Sequence, residues 1–286
     1  MTESFFSKKH QINCHGKLID LSIPKVMGIV NVTPDSFFAQ SRAMVTKEVL
    51  ERVKKMLADG ADMIDIGAYS SRPGAEPIDE ATEWNRLEPI IDAVRIEFPE
   101  CIISLDTFRS AIAQHAVEKY KVDIINDISS GNLDPKMHET VAGLKVPYVM
   151  MHMVGTPQTM QTQTQYLHLM KDIFLFFAKK IESLKLLGVH DIIIDPGFGF
   201  AKNLDQNYEI LAKLDEFKIF EMPILVGLSR KSMLYRFLNT TPENVLNGTS
   251  VLNTIALQKG ASILRVHDVK ECSECVKLFM KTKQFL

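Results

Sequence analysis

Residues 191–203 read DIIIDPGFGFAKN. Three isoleucines make a β-branched run that suits a buried strand, the run stops on an aspartate, and Pro-Gly-Phe-Gly turns the chain. The glycines invite a phosphate-cradle reading, but their spacing does not make a Walker loop. In the second reading Asp195 is the group that meets a ligand. Gly197 and Gly199 then allow the sharp turn beside it.

An apolar run ending on a polar residue recurs along the chain. Strands are predicted at VMGIVNV (26–32), MIDIG (63–67), IISLDT (102–107) and DIIND (123–127). They continue with PYVMMHM (147–153), DIIIDP (191–196), PILVGLS (223–229) and SILRVH (262–267). Between them, stretches such as KEVLERVKKMLADGA, DEATEWNRLEPIIDAVRIEF and YLHLMKDIFLFFAKKIESLKLLG carry apolar residues at helical spacing. Continuous apolar strands alternating with helices predict an α/β fold with a parallel sheet covered on both faces. Eight such strands close a (β/α)8 TIM barrel. A doubly wound open sheet is the alternative, but its early dinucleotide fingerprint is missing. QINCHGKLIDLS alternates weakly around a Gly-Lys turn and predicts a short N-terminal hairpin closing the barrel bottom. No linker or charge run divides residues 1–286, so a single domain is expected.

The 286 residues are 46% apolar and 24% charged, with a formal charge of −2 and a pI near 6.5. That balance fits a soluble globular protein and gives no electrostatic case for nucleic acid or an anionic membrane. MTESFFSKKHQ lacks the apolar stretch of a signal peptide, and IFLFFA at 173–178 is too short to span a bilayer. A cytoplasmic location is expected. Cys272 and Cys275 form a C-x-x-C pair with no second pair to complete a zinc site. On a terminal helix they share a face, and they are read as inert.

Polarity gathers where the predicted strands end, at Asn31, Asp106, Asn126, His152, Asp195, Ser229, and Arg265 with His267. In a barrel these C-terminal ends converge on one face, where active sites sit. A single member could be a helix cap, as Asp106-Thr107 could be for a helix opening at Phe108 or Arg109. The repetition argues for a site. Asp106, Asn126 and Asp195 offer acceptors and a donor suited to the edge of a heterocycle. Arg265, His267, Arg72, Lys231 and Asn31 suit a phosphate-like anion. The expected ligand is a polar heterocycle attached to an anionic group. Metal binding by the two aspartates and His152 is the rival reading, and it lacks a compact ligand motif.

MGIVNVTPDSF, SSRPGA, SLDTFR, INDISSG, MMHM-x-G-x-P-x-x-M, DPGFGF-x-K, GLSRKS and RVHDV stand in the order seen in the dihydropteroate synthase family. The resemblance runs from about residue 26 to 269. It implies a pterin-binding TIM barrel, usually a homodimer, acting as a transferase in folate biosynthesis. The family condenses 6-hydroxymethyl-7,8-dihydropterin pyrophosphate with p-aminobenzoate, giving 7,8-dihydropteroate and pyrophosphate. It uses Mg²⁺, and sulfonamides, which mimic p-aminobenzoate, inhibit it.

Carried over position by position, the resemblance places the pterin against Asp106, Asn126, Asp195 and Lys231. Met151 and Phe200 would contact it, and the Arg265 guanidinium would lie over a ring face. Asn31, Arg72, Arg265 and His267 would meet the pyrophosphate, with a magnesium ion held partly by Asn31. The p-aminobenzoate pocket would come from Thr33, Pro34, Asp35 and Phe37 in the first loop and Ser71, Arg72 and Pro73 in the second. Lys231 and Ser232 would lie nearby. Asp35, Lys231, Arg265 and His267 are the residues expected to carry the chemistry, with Asp35 steadying a cationic intermediate or orienting the amine. The expected reaction is an SN1-like displacement in which magnesium, Arg265 and His267 neutralise the leaving group.

The sequence departs from the family at Tyr69 and Ser71, where glutamate and threonine are usual, and at DSFFAQSRA, where a glycine pair often follows. Three rivals remain on the residues alone. A methyltetrahydrofolate-dependent methyltransferase has no need for the two loops or for Ser229-Arg230-Lys231. A silent pterin-binding paralogue would be expected to lose Asn31, Asp35, Arg72 or His267, all retained here. A barrel acting on sugar phosphates would leave Asp106, Asn126 and Asp195 without a task.

Overall fold

All eight barrel strands form in the computed structural model, which describes residues 11–32, 42–70 and 76–285. Two short strands, β1 (Gln11–Cys14) and β2 (Lys17–Asp20), pair antiparallel as the expected hairpin. The barrel strands are β3 (Lys25–Asn31), β4 (Met63–Gly67), β5 (Ile102–Asp106) and β6 (Ile124–Asp127). They continue as β7 (Tyr148–Met151), β8 (Ile192–Asp195), β9 (Leu225–Val226) and β10 (Ile263–Val266). Their order in the sheet is β8-β7-β6-β5-β4-β3-β10-β9, and a parallel bridge between Ile194 and Ile224 joins the two end strands into a barrel. β9 is much shorter than predicted. Pro223 has no N–H to donate, and the chain turns at Ser229 and Arg230.

Helices α1 (Arg42–Ala58), α2 (Glu80–Glu97), α3 (Ser110–Tyr120), α4 (Met137–Leu144) and α5 (Leu169–Leu186) follow the first five barrel strands. Beyond them come α6 (Leu204–Ala212), α7 (Ser232–Phe237), α8 (Leu246–Gln258) and α9 (Val269–Lys283). Outward strand residues such as Val30, Ile64, Ile103 and Val226 pack against helix residues such as Leu87, Ile112, Phe177 and Ala256. Among the described residues, no helix is long and apolar enough to cross a membrane.

Side chains alternate across each strand, so every second residue points into the barrel. The lowest inward layer takes one apolar residue from each strand: Met27, Met63, Ile102, Ile124, Val149, Ile193, Leu225 and Ile263. Ile12, Cys14, Ile19 and Leu21 of the hairpin segment close this layer from below. Two residues further along the strands the interior turns polar, at Asp65, Ser104, Asn126, Asp195 and Arg265. The same alternation thus builds a dry floor and a charged mouth.

Candidate active site

Asp65, in the middle of β4, is 0% exposed and sits at the hub of the mouth. Its Oδ1 accepts from Ser104 Oγ at 2.6 Å. Its Oδ2 accepts from Arg265 Nε at 2.6 Å and from Asn126 Nδ2 at 3.2 Å. Arg265 donates a second N–H to Asp106 Oδ2 at 2.8 Å. Burial alone would lower the Arg265 pKa, but Asp65 and Asp106 outweigh it and hold the guanidinium charged. Burial pushes the Asp106 carboxyl above the usual carboxylate range; Arg265 pulls it back, and Asp65 and Asp127 add to the rise. Asp65 escapes a search of strand ends. Its signal lies in the spacing of MIDIG, where it shares the inward face with Met63 and therefore needs a cation as partner.

Strand register assembles the predicted heterocycle-binding residues into an arc. Asp106 stands beside Asn126 across β5 and β6, and Met151 beside Asp195 across β7 and β8. Asp106 is not spent on capping. Thr107 Oγ1 and Asp134 Oδ2 instead accept the amides of Arg109 and Ser110 where α3 begins. Asp195 Oδ1 accepts the Gly197 amide at 2.7 Å. Burial raises the Asp195 pKa, opposed by that amide and by Lys231.

Two glycines of the opening motif are required by the turn. Gly197 has φ +74°, and a Cβ there would lie 2.1 Å from the His152 carbonyl oxygen. Gly199 has φ +79°, and its Cβ would meet Lys231 Cδ at 3.1 Å. A capping box then starts α6, with Asn203 Oδ1 accepting the Gln206 amide at 2.9 Å and Gln206 Oε1 accepting the Asn203 amide at 2.8 Å. Lys231 donates to the Phe198 carbonyl at 2.8 Å, and its Nζ lies 4.3 Å from the Phe200 ring centroid. Burial lowers the Lys231 pKa to about 8, with Asp195 opposing. Phe200 and Met151 share an apolar cluster with Ile128, Met153, Met160 and Ala201. Ser232 is half-buried at the first position of α7.

On the anion side, Asn31 ends β3 opposite Gly67 and is half-buried. The backbone N–H of His267 donates to Ser229 Oγ at 3.2 Å, and the same Oγ lies 3.1 Å from His267 Nδ1. The hydroxyl thus engages Nδ1, and Nε2 is the ring nitrogen that Ser229 does not touch. Burial, then the charges of Arg265, Arg230 and Arg52, lower the His267 pKa to about 3. These influences favour the neutral imidazole, and an anion bound beside the ring would act in the opposite direction.

The expected site residues Thr33, Pro34, Asp35, Phe37, Ser71, Arg72 and Pro73 lie outside the described residues. Tyr69, at the root of the second loop, is described. Its hydroxyl accepts from Gln158 Nε2 at 2.8 Å, and its ring meets Phe108 edge-on at 4.9 Å.

The metal reading of His152 does not hold. Its Nδ1 lies 3.0 Å from Lys202 Nζ, its ring packs edge-on to Phe176, and burial lowers its pKa to about 2. Among the described residues, no group of three or more His, Cys, Asp or Glu is placed to hold a metal ion. Cys272 is buried and Cys275 half-buried on α9.

Fold and site together define a TIM-barrel enzyme whose mouth presents a heterocycle-reading arc beside an anion-binding edge. A family model described as pterin binding enzyme matches residues 27–267. The dihydropteroate synthase of Haemophilus influenzae is 38% identical over 274 residues, covering 95% of this chain and 98% of the relative. That of Escherichia coli is 39% identical, covering 93% and 94%. The crystal structure of Yersinia pestis dihydropteroate synthase with a sulfonamide drug complex superposes with a TM-score of 0.89 at 40% identity, covering 96% of this chain and 99% of that one. The chain belongs to the dihydropteroate synthase family of pterin binding enzymes.

Proposed function

We propose that the protein transfers the pterinylmethyl group of 6-hydroxymethyl-7,8-dihydropterin pyrophosphate to p-aminobenzoate, giving 7,8-dihydropteroate and pyrophosphate. The observation that carries this is the Arg265 clamp. One guanidinium is fixed by Asp65 and Asp106 where the heterocycle arc meets the edge formed by Asn31 and His267. A substrate joining a heterocycle to pyrophosphate through one carbon fits across that junction, which also disfavours the sugar-phosphate reading.

Asp195, ionised, accepts two parallel N–H bonds from the amino-pyrimidine edge, while Asn126 and Lys231 supply donors. Breaking the C–O bond sends its electron pair to pyrophosphate and leaves cationic charge on the methylene carbon, which the electron-rich pterin delocalises. Arg265 and the His267 imidazole stabilise the departing anion. The neutral arylamine, already unprotonated near neutral pH, forms the C–N bond, and the acidic anilinium that results passes its proton to water, so a strong base is unnecessary. Asp35 is assigned to steadying the cation or orienting the amine.

Asn31 is the described residue that would hold Mg²⁺, and a lone carboxamide fits an ion carried chiefly by pyrophosphate oxygens and water. When bound, the ion would neutralise charge on the leaving group. A homodimer meeting on α8 and α9 is consistent with the exposed Leu246, Val251 and Leu278.

The test is direct: purified protein with the pterin pyrophosphate, p-aminobenzoate and Mg²⁺, each withheld in turn. Dihydropteroate and pyrophosphate should appear together and need both substrates. Pterin binding without turnover would point to the silent paralogue, and failure to bind would sink the assignment.

A further inference from the structure

Lys202 is 4% exposed and has no part in the reaction above. Its Nζ lies 3.0 Å from His152 Nδ1, 3.2 Å from the His152 carbonyl, 3.0 Å from the Gly197 carbonyl and 2.9 Å from the Phe200 carbonyl. Three of these partners are carbonyl oxygens, which accept the three N–H bonds of an ammonium and cannot satisfy an amine lone pair. The fourth is an imidazole nitrogen whose role follows its tautomer. None is a carboxylate, so every group that touches the buried charge is a dipole, with the Asp195 carboxylate acting on it only from beyond hydrogen-bond contact. An ammonium in such a place costs stability, which makes a local task for it worth seeking.

The acceptors come from two segments that line the pterin arc. His152 follows Met151 at the end of β7, while Gly197 and Phe200 belong to the turn after Asp195. Backbone contact between these segments is close, since any side chain at Gly197 would strike the His152 carbonyl. Four further bonds hold the turn and its exit: Lys231 Nζ donates to the Phe198 carbonyl, Gln161 Nε2 to the Gly199 carbonyl and the Tyr166 hydroxyl to the Ala201 carbonyl, while Asn207 Oδ1 accepts the Gly199 amide.

We propose that Lys202 is a positioning residue for the pterin, an internal ammonium staple that fixes the 196–200 turn to the end of β7. It thereby holds Phe200 and Asp195 in place for the ring. Its charge also favours the ionised state of Asp195, the form that accepts two N–H bonds. Burial lowers the pKa of Lys202 to about 7, with Asp195 opposing and Lys231 adding to the fall. The three facing carbonyls favour the protonated form.

The inference rests on the assignment of Asp195 and Phe200 to the pterin, so the experiment includes the unaltered protein. Calorimetric titration with 6-hydroxymethylpterin is combined with steady-state kinetics on both substrates for Lys202→Met and Lys202→Gln. Lys202→Met should weaken pterin binding, and raise the KM for the pterin pyrophosphate, by about tenfold or more. The KM for p-aminobenzoate should stay unchanged, and Lys202→Gln, which restores two donors, should recover part of the loss. Unchanged pterin affinity in a folded variant would overturn the proposal, as would equal losses toward both substrates. Collapse of the fold in both variants would also count against it, because the staple is local and the turn keeps its other bonds. If the unaltered protein fails to bind the pterin, the functional reading itself falls.

Discussion

The floor and the mouth of this barrel share the same strands and the same alternation, yet they depend on different physics. At the floor, inward residues from all eight strands meet the hairpin in an all-apolar layer. Burial there is non-directional, and each side chain contributes on the order of 1.5–3 kcal/mol. At the mouth, Asp65, Ser104, Asn126, Asp106 and Arg265 are joined by hydrogen bonds of 2.6–3.2 Å. Those bonds are directional, and removing one partner leaves a buried charge exposed to its full desolvation cost. The floor should therefore govern stability alone, while the mouth should govern stability and reaction together.

The sharpest way to break this contrast is at its hub. Asp65→Ala leaves Arg265 with one carboxylate and strips Ser104 and Asn126 of their acceptor. We expect a loss of about 3–5 kcal/mol in unfolding free energy, as for other broken buried pairs. A shifted guanidinium should also lower kcat/KM by about 100-fold. Denaturant melts and initial rates on the same preparation check both, and a variant that loses only stability would make Asp65 a mere core residue.

Ile12→Ala is the matching change in the floor. Ile12 is 1% exposed in the hairpin, so truncation should cost about 2–5 kcal/mol. Assayed well below its melting temperature, the variant should keep the kcat/KM of the parent. A fall in kcat/KM on that scale would show that the floor reaches the mouth through the barrel, and the two regions could no longer be treated apart.

The difference between the regions also decided what could be read from the sequence. The floor, the strands and the hairpin are periodic, and period is what a sequence displays. The strand-end residues were legible because barrel topology brings strand ends together wherever they fall in the chain. Asp65 was missed because it is interior to its strand and its decisive partner, Arg265, lies 200 positions away. Lys202 stands in a quoted motif, but its partners are mostly backbone carbonyls, which leave no mark on composition. The downward pull on the His267 pKa comes from burial and three arginines in different parts of the chain, which its residue type alone does not display.

The smallest expected effect uses pH to separate the two regions without mutation. At the mouth, Lys231 titrates at about 8, lowered first by burial. It donates only when protonated, so pterin affinity should fall as pH rises through that value, by up to about tenfold per unit beyond it, or roughly 1.4 kcal/mol. Lys202, at about 7, should start the decline earlier. In the acid direction Asp195, raised by burial, should lose its acceptors before an exposed carboxylate would. His267, lowered to about 3, stays neutral across this range and contributes no limb. Cys14 is the one ionisable side chain in the floor cluster, and burial pushes its thiol up to about 12. The destabilisation caused by Ile12→Ala should therefore be the same at about pH 6 and about pH 9. Calorimetry with the pterin over that range, set against melts of the Ile12 variant, gives both readings. A flat binding profile would remove Lys231 from ligand recognition, and a pH-dependent floor would mean that the mouth's charges extend further down the barrel than the apolar layer implies.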